Sequence, residues 1–168
     1  EETYKKFLQE TNFKNLLVCD HISGEDSISL PSITNLVRKY KPDVLIIDGV
    51  YLISTQDRNK AAWEQSHSLF YGLKTMALST NTTVIASTQA TRDAANMYTQ
   101  LTASQVAFGD ALIRASDVAL SMCMVEDEPK LREVAFQKYR DGDLGGRDSQ
   151  FIWDVDKGKI EEDNESFI

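Results

Sequence analysis

Asp48 closes the aliphatic run Asp43–Asp48 (DVLIID), Gln89 lies two residues beyond the run Thr83–Ser87 (TVIAS), and Lys138 and Arg140 flank Tyr139 just before a glycine-rich turn. Each side chain suits phosphate chemistry for its own reason. A carboxylate at the carboxyl end of a buried parallel strand points into a cleft, where it can hold a magnesium ion, usually through water. A glutamine amide can donate to a phosphate oxygen while accepting from elsewhere, so it can report whether the phosphate is there. Two cations one residue apart on a strand share a face, and an arginine supplied across an interface stabilises charge on a transferred phosphoryl group. Taken singly, each has a plain alternative. Asp48 can cap a loop, Gln89 can open one, and Lys138 with Arg140 can form a solvated strand edge that discourages aggregation.

The elements that must position these residues can be read along the chain. Asn15–Cys19 (NLLVC) is a short apolar run that suits a buried strand. Ser29, Leu30 and Pro31 signal a helix start, and Ile33, Leu36, Val37 and Tyr40 recur on one face until Pro42 stops the run. The four aliphatics of DVLIID predict a strand covered on both faces of a parallel sheet. A second helix is expected over residues 61–79, with Trp63, Phe70, Leu73 and Ala77 on a stripe beside Leu69 and Met76, ending near Asn81. TVIAS is the next strand. Strand, helix, strand, helix, strand, with connections long enough for crossovers, points to a parallel α/β sheet.

Beyond Gln89 the texture changes. Gln89–Gln105 is polar and without period, the pattern of a long functional loop. A short helix Val106–Ala115, strands Asp117–Met124 and Leu131–Tyr139 around an acidic turn, and a final strand Phe151–Val155 predict antiparallel pairing at one edge. The acidic tail from Asp156 to Ile168 is expected to fray, leaving a core of about residues 15–155.

Order and spacing join these features. A hydrophobic strand ending in Asp, a strand followed closely by Gln, a polar loop, and a Lys-x-Arg strand before a glycine turn resemble the C-terminal half of the DnaB-like replicative helicase family, superfamily 4. DVLIIDGVYLI resembles its Walker B segment, VIASTQATR its phosphate-sensing strand, and FQKYRDGDLGG its arginine-finger segment. The resemblance covers about Asn15–Val155. It implies a RecA-like fold: a mostly parallel sheet flanked by helices, with antiparallel strands at the C-terminal edge. It also implies a motor that couples ATP hydrolysis to 5′ to 3′ translocation on single-stranded DNA and duplex unwinding. Asp48 would support Mg²⁺, Gln89 would couple the γ-phosphate to the DNA loops, and Lys138 with Arg140 would reach the nucleotide of an adjacent subunit in a homo-oligomeric, hexameric ring. The DNA loops would be about Thr55–Lys60, with Arg58 and Lys60, and about Ala90–Gln105, with Arg92. Phage replication, with a primase or helicase loader as partner, is the natural context.

The departures are equally specific. No GxxxxGK[ST] occurs, and the family's catalytic glutamate upstream of Walker B has no counterpart. Both are expected to precede Glu1, so the 168 residues alone should not hydrolyse ATP. Gly49 stands where many family members carry a bulkier residue. A recombinase or KaiC-like ATPase would share Walker B and the sheet, and a non-catalytic oligomerisation module would share the fold alone.

Composition sets outer bounds. A chain of 168 residues with 42% apolar content is long enough for one packed domain. Its net charge of −8 argues against a broad phosphate-tracking surface, so contact with nucleic acid must be local. A few basic residues per subunit suffice where a ring encloses single-stranded DNA. No apolar run approaches the roughly 18–20 residues of a membrane span, and no signal-peptide pattern opens the chain, which suggests a cytoplasmic protein. Cys19 and Cys123 lie in strand-like runs without CxxC spacing and read as core thiols. His21 and His67 carry no metal or general-base pattern, and Glu126–Asp127–Glu128 reads as a solvated turn.

Overall fold

The computed structural model describes residues 15–19, 27–55, 61–89, 98–101, 105–106, 109–142 and 149–162. Helix α1 (Leu30–Tyr40) starts where the sequence signals it. Ser29 caps it reciprocally with Ser32: the Ser32 amide donates to Ser29 Oγ at 3.3 Å and the Ser29 amide to Ser32 Oγ at 2.9 Å. Ile33 and Val37 are buried, but Tyr40 is exposed, so the apolar stripe is shorter than its periodicity suggests. Lys41 ends the helix in the left-handed region, φ 49°, a conformation that costs an L-residue about 1–2 kcal/mol. Lys41→Gly is therefore expected to raise stability by about 0.5–1 kcal/mol, read as a higher midpoint in thermal or urea denaturation.

Strand β1 (Val44–Ile47) leads through a one-turn 3-10 helix (Val50–Leu52) towards helix α2 (Ala62–Thr80), which Asn81 ends at φ 53°. Strand β2 (Thr83–Ala86) then returns beside β1 in parallel, Val44 opposite Thr83 and Ile47 opposite Ala86. The core is built from Ile33 and Val37 of α1, Val50 and Ile53 after β1, and Leu69, Phe70, Leu73 and Met76 of α2. Leu45, Ile47, Val84 and Ala86 pack against it.

The expectation that β1 is covered on both faces is not met. Side chains alternate along the pair, so Leu45 and Ile47 face the helices while Ile46 is 68% exposed, beside Ile85 at 53%. Nor do residues 15–19 form a strand. They pair with neither β1 nor β2, Val18 is 77% exposed and Cys19 is exposed. An apolar run needs a partner and a covered face to become a buried strand, and no described residue supplies them. Trp63 also departs from its expected place in the α2 stripe, standing 67% exposed while Leu69, Phe70, Leu73 and Met76 bury as expected.

Helix α3 (Gly109–Ala115) precedes a four-stranded antiparallel sheet of β3 (Val118–Val125), β4 (Glu128–Tyr139), β5 (Ser149–Asp154) and β6 (Lys159–Glu162), hydrogen-bonded in that order. Cys123 is buried in β3 as expected, and burial pushes its thiol above the usual range, with the charge of Glu133 adding to the effect. Strand β6 corrects the reading of a fraying tail. Asp154, buried at the end of β5, accepts from the Lys157 amide at 3.3 Å, and Gly158 takes φ 61°, so a tight turn reverses the chain and sets Ile160 opposite Trp153. The hydrogen bond from Lys130 to Asp154, 2.7 Å, secures the turn and holds that carboxyl below the usual carboxylate range. Among the described residues no helix is long and apolar enough to cross a membrane.

Candidate functional site

Two groups of polar side chains stand out, one at the carboxyl ends of β1 and β2 and the other where β3 begins and β4 ends. In the first, Asp48 follows β1 and Ser87 follows β2 directly, and the parallel register brings them side by side. The Ser87 amide donates to Ile47 O at 3.0 Å and the Val50 amide to Ser87 O at 2.9 Å, so the backbones after both strands are tied together. Ser87 Oγ donates to Asp48 Oδ1, leaving Oδ2 of this exposed carboxylate without a partner among the described residues.

Gln89 is exposed, and its Nε2 donates to the Tyr51 hydroxyl at 2.7 Å. The tyrosine is in turn placed by Gly49. A β-carbon on Gly49 would come within 2.5 Å of Tyr51 Cε1, so the glycine makes room for the ring that receives Gln89. Sequence reasoning missed Tyr51. Its signal was the missing side chain at Gly49, two residues earlier.

The second group centres on Asp117, between α3 and β3. Arg140 Nε donates to Asp117 Oδ1 at 3.1 Å, and the Arg140 amide donates to the Asp117 carbonyl at 2.9 Å. Lys74 of α2 donates to Asp117 Oδ2. This hydrogen bond, joined by the charges of Lys74, Arg140 and Lys138 and opposed by burial, holds the Asp117 carboxyl below the usual carboxylate range. Its contribution to stability is thus present above the ordinary aspartate pKa and is lost as pH falls through the lowered value.

Lys138 does something else. Its ammonium donates to Ile113 O at 2.6 Å, Arg114 O at 3.1 Å and Ser116 O at 2.7 Å, satisfying carbonyls left open where α3 ends. Burial, and next the charge of Arg140, push this ammonium below the usual lysine range against the opposing pull of Asp117. Lys138 and Arg140 are therefore brought together as expected from their spacing, but the first is engaged by a helix end and the second by a carboxylate.

No hydrogen bond or ion pair among the described residues joins the two groups, and among those residues no cluster of three or more metal-ligating side chains occurs. Arg58, Lys60 and Arg92 lie outside the described residues, as do His21 and Gly145–Gly146. His67 is exposed and stacks on Tyr71 at 4.3 Å between ring centroids. The hydrogen bond from Thr55 to Gln65 brings together the two sides of segment 56–60. Gln100 is a second residue that sequence reasoning missed. Its Nε2 donates to the Glu133 carbonyl at 3.1 Å and to Glu133 Oε1 at 3.0 Å, and it accepts from Ser121, so the segment after Gln89 is pinned to the strand that ends at Arg140.

No family model and no curated protein matches the sequence. Among solved structures, the ATPase domain of a DnaB-like phage helicase superposes with a TM-score of 0.72 at 20% identity, over 82% of this chain and 52% of that one. The chain thus spans about half the length of that domain, and at this identity the likeness establishes the fold: part of a RecA-like ATPase domain, with its parallel pair, helices and antiparallel sheet.

Proposed function

We propose that these residues form the Walker B, sensor and arginine portion of a ring-forming helicase motor that couples ATP hydrolysis to 5′ to 3′ movement on single-stranded DNA. The observation that carries this reading is the pairing of Asp48 and Gln89 at the carboxyl ends of adjacent parallel strands, where open α/β sheets bind ligands. The donor set fits magnesium, which keeps several waters and needs only one or two carboxylates beside the substrate phosphates. Asp48 would hold it through Oδ2, with Ser87 fixing the other oxygen. Bound there, the ion would offset negative charge on the phosphates.

The chain's own residues do the rest. Gln89, exchanging the Tyr51 hydroxyl for a phosphate oxygen, reports the phosphate to the segment that Gln100 anchors on β4. Arg140 is offered to a nucleotide held by a neighbouring copy of the protein, with Lys138 fixing the α3 end beside it. The phosphate-cradling loop is supplied from outside these 168 residues, and Arg58, Lys60 and Arg92 supply local contacts to DNA. The test is strand displacement by the full-length protein on forked DNA. ATP-dependent unwinding that requires a 5′ single-stranded tail is expected. Hydrolysis without displacement would discard the helicase reading in favour of an ATPase of the recombinase or KaiC-like kind.

A further inference from the structure

We infer that Asp117 is the positioning residue for Arg140, holding its guanidinium at Nε so that both terminal nitrogens remain available for a phosphate presented by another copy of the chain. This rests on the proposed role of Arg140 and adds the device that aims it. The contact is made at Nε, 3.1 Å from Asp117 Oδ1, and among the described residues no partner engages Nη1 or Nη2. A carboxylate that gripped the fork end-on would occupy the donors a phosphate needs, because arginine recognises both anions through the same paired geometry. Side-on capture avoids that competition.

The placement is fixed three times over. The Arg140 amide donates to the Asp117 carbonyl, which locks the two residues opposite each other where β3 begins and β4 ends. Lys74 binds the second carboxylate oxygen, tying it to α2, the helix that lies between the strands ending at Asp48 and at Gln89. Lys138 binds three carbonyls on the approach to Asp117, from Ile113 to Ser116, and so holds the junction that carries it. The Arg140 and Asp117 side chains are 49% and 53% exposed, and half-exposed ion pairs contribute little to stability. What three cations around one carboxylate do supply is direction.

The experiment uses the full-length protein and the substitution Asp117→Glu, which keeps the charge and the pairing chemistry but moves the carboxylate by one methylene. Its kcat for ATP hydrolysis is expected to fall about 10-fold, with KM for ATP and the melting temperature nearly unchanged, because small misplacements of a catalytic group cost rate and not binding. Asp117→Ala should lose at least as much, and adding either change to Arg140→Ala should cost nothing further, since Asp117 acts only through the arginine. Wild-type kcat in Asp117→Glu would overturn the proposal by showing that the charge alone matters. An equal further loss on top of Arg140→Ala would overturn it too. If Arg140→Ala itself hydrolyses ATP at the wild-type rate, the underlying arginine role fails instead.

Discussion

Arg140→Ala in the full-length protein is expected to lower ATP hydrolysis by about 10³-fold or more while leaving nucleotide binding nearly intact, the loss typical of an arginine that meets charge only as it develops on the transferred phosphoryl group. The structure makes this outcome readable as chemistry. Arg140 is half-exposed, and its side chain has a single partner among the described residues, Asp117, which keeps Lys74 when the arginine is gone. Surface ion pairs of this kind contribute at most about 1 kcal/mol, so the variant should fold and melt almost as the wild type does. Arg140→Lys should be nearly as poor, because an ammonium cannot bond to Asp117 sideways and present a planar fork at the same time. Single-turnover hydrolysis and equilibrium nucleotide binding separate the two effects. Tight binding with normal turnover in Arg140→Ala would remove this residue from the chemistry.

The sequence makes the frame of this arrangement legible and hides its joints. DVLIID and TVIAS announce parallel strands because aliphatic runs of that length between helical periods have few other uses, and Asp48 and Gln89 follow at their ends. Periodicity cannot say whether both faces of such a strand are covered by the same chain, and so Ile46 and Ile85 are misjudged. Lys138 shows another limit. Alternation places it on the face of Arg140, but only the fold brings the end of α3 beneath it, after which three carbonyls claim the ammonium. Asp117 and Lys74 lie 43 positions apart and share no local pattern, so nothing short of tertiary structure could pair them. Tyr51 was nearer to hand, since a glycine after a strand-ending aspartate is an invitation for a neighbouring ring to pack closely. The β6 strand was hidden by its charge: Lys159, Glu161 and Glu162 read as a solvated tail, whereas backbone pairing with β5 needs only a turn, and Asp154 with Gly158 supplies it.

Asp48→Ala is expected to reduce hydrolysis by about 10³-fold, because a bound metal contributes several kcal/mol of charge stabilisation that depends on its carboxylate. Asp48 is exposed and its partner among the described residues is the Ser87 hydroxyl, so the substitution should shift stability by no more than about 0.5 kcal/mol. Its greater value is in combination with Arg140→Ala. If both residues served the same subunit's nucleotide, mixing the two inactive variants would leave every site broken. If Arg140 is offered across an interface, a site works wherever an Arg140→Ala subunit supplies Asp48 and its neighbour, an Asp48→Ala subunit, supplies the arginine. In randomly mixed equimolar rings each condition is met half the time, so about one quarter of wild-type hydrolysis should return. Hydrolysis that stays at the level of the separate variants, in rings shown to contain both, would place Arg140 beside its own subunit's nucleotide. Recovery near one quarter would place one phosphate between two copies of this chain, with Asp48 on one side and the arginine aimed by Asp117 on the other.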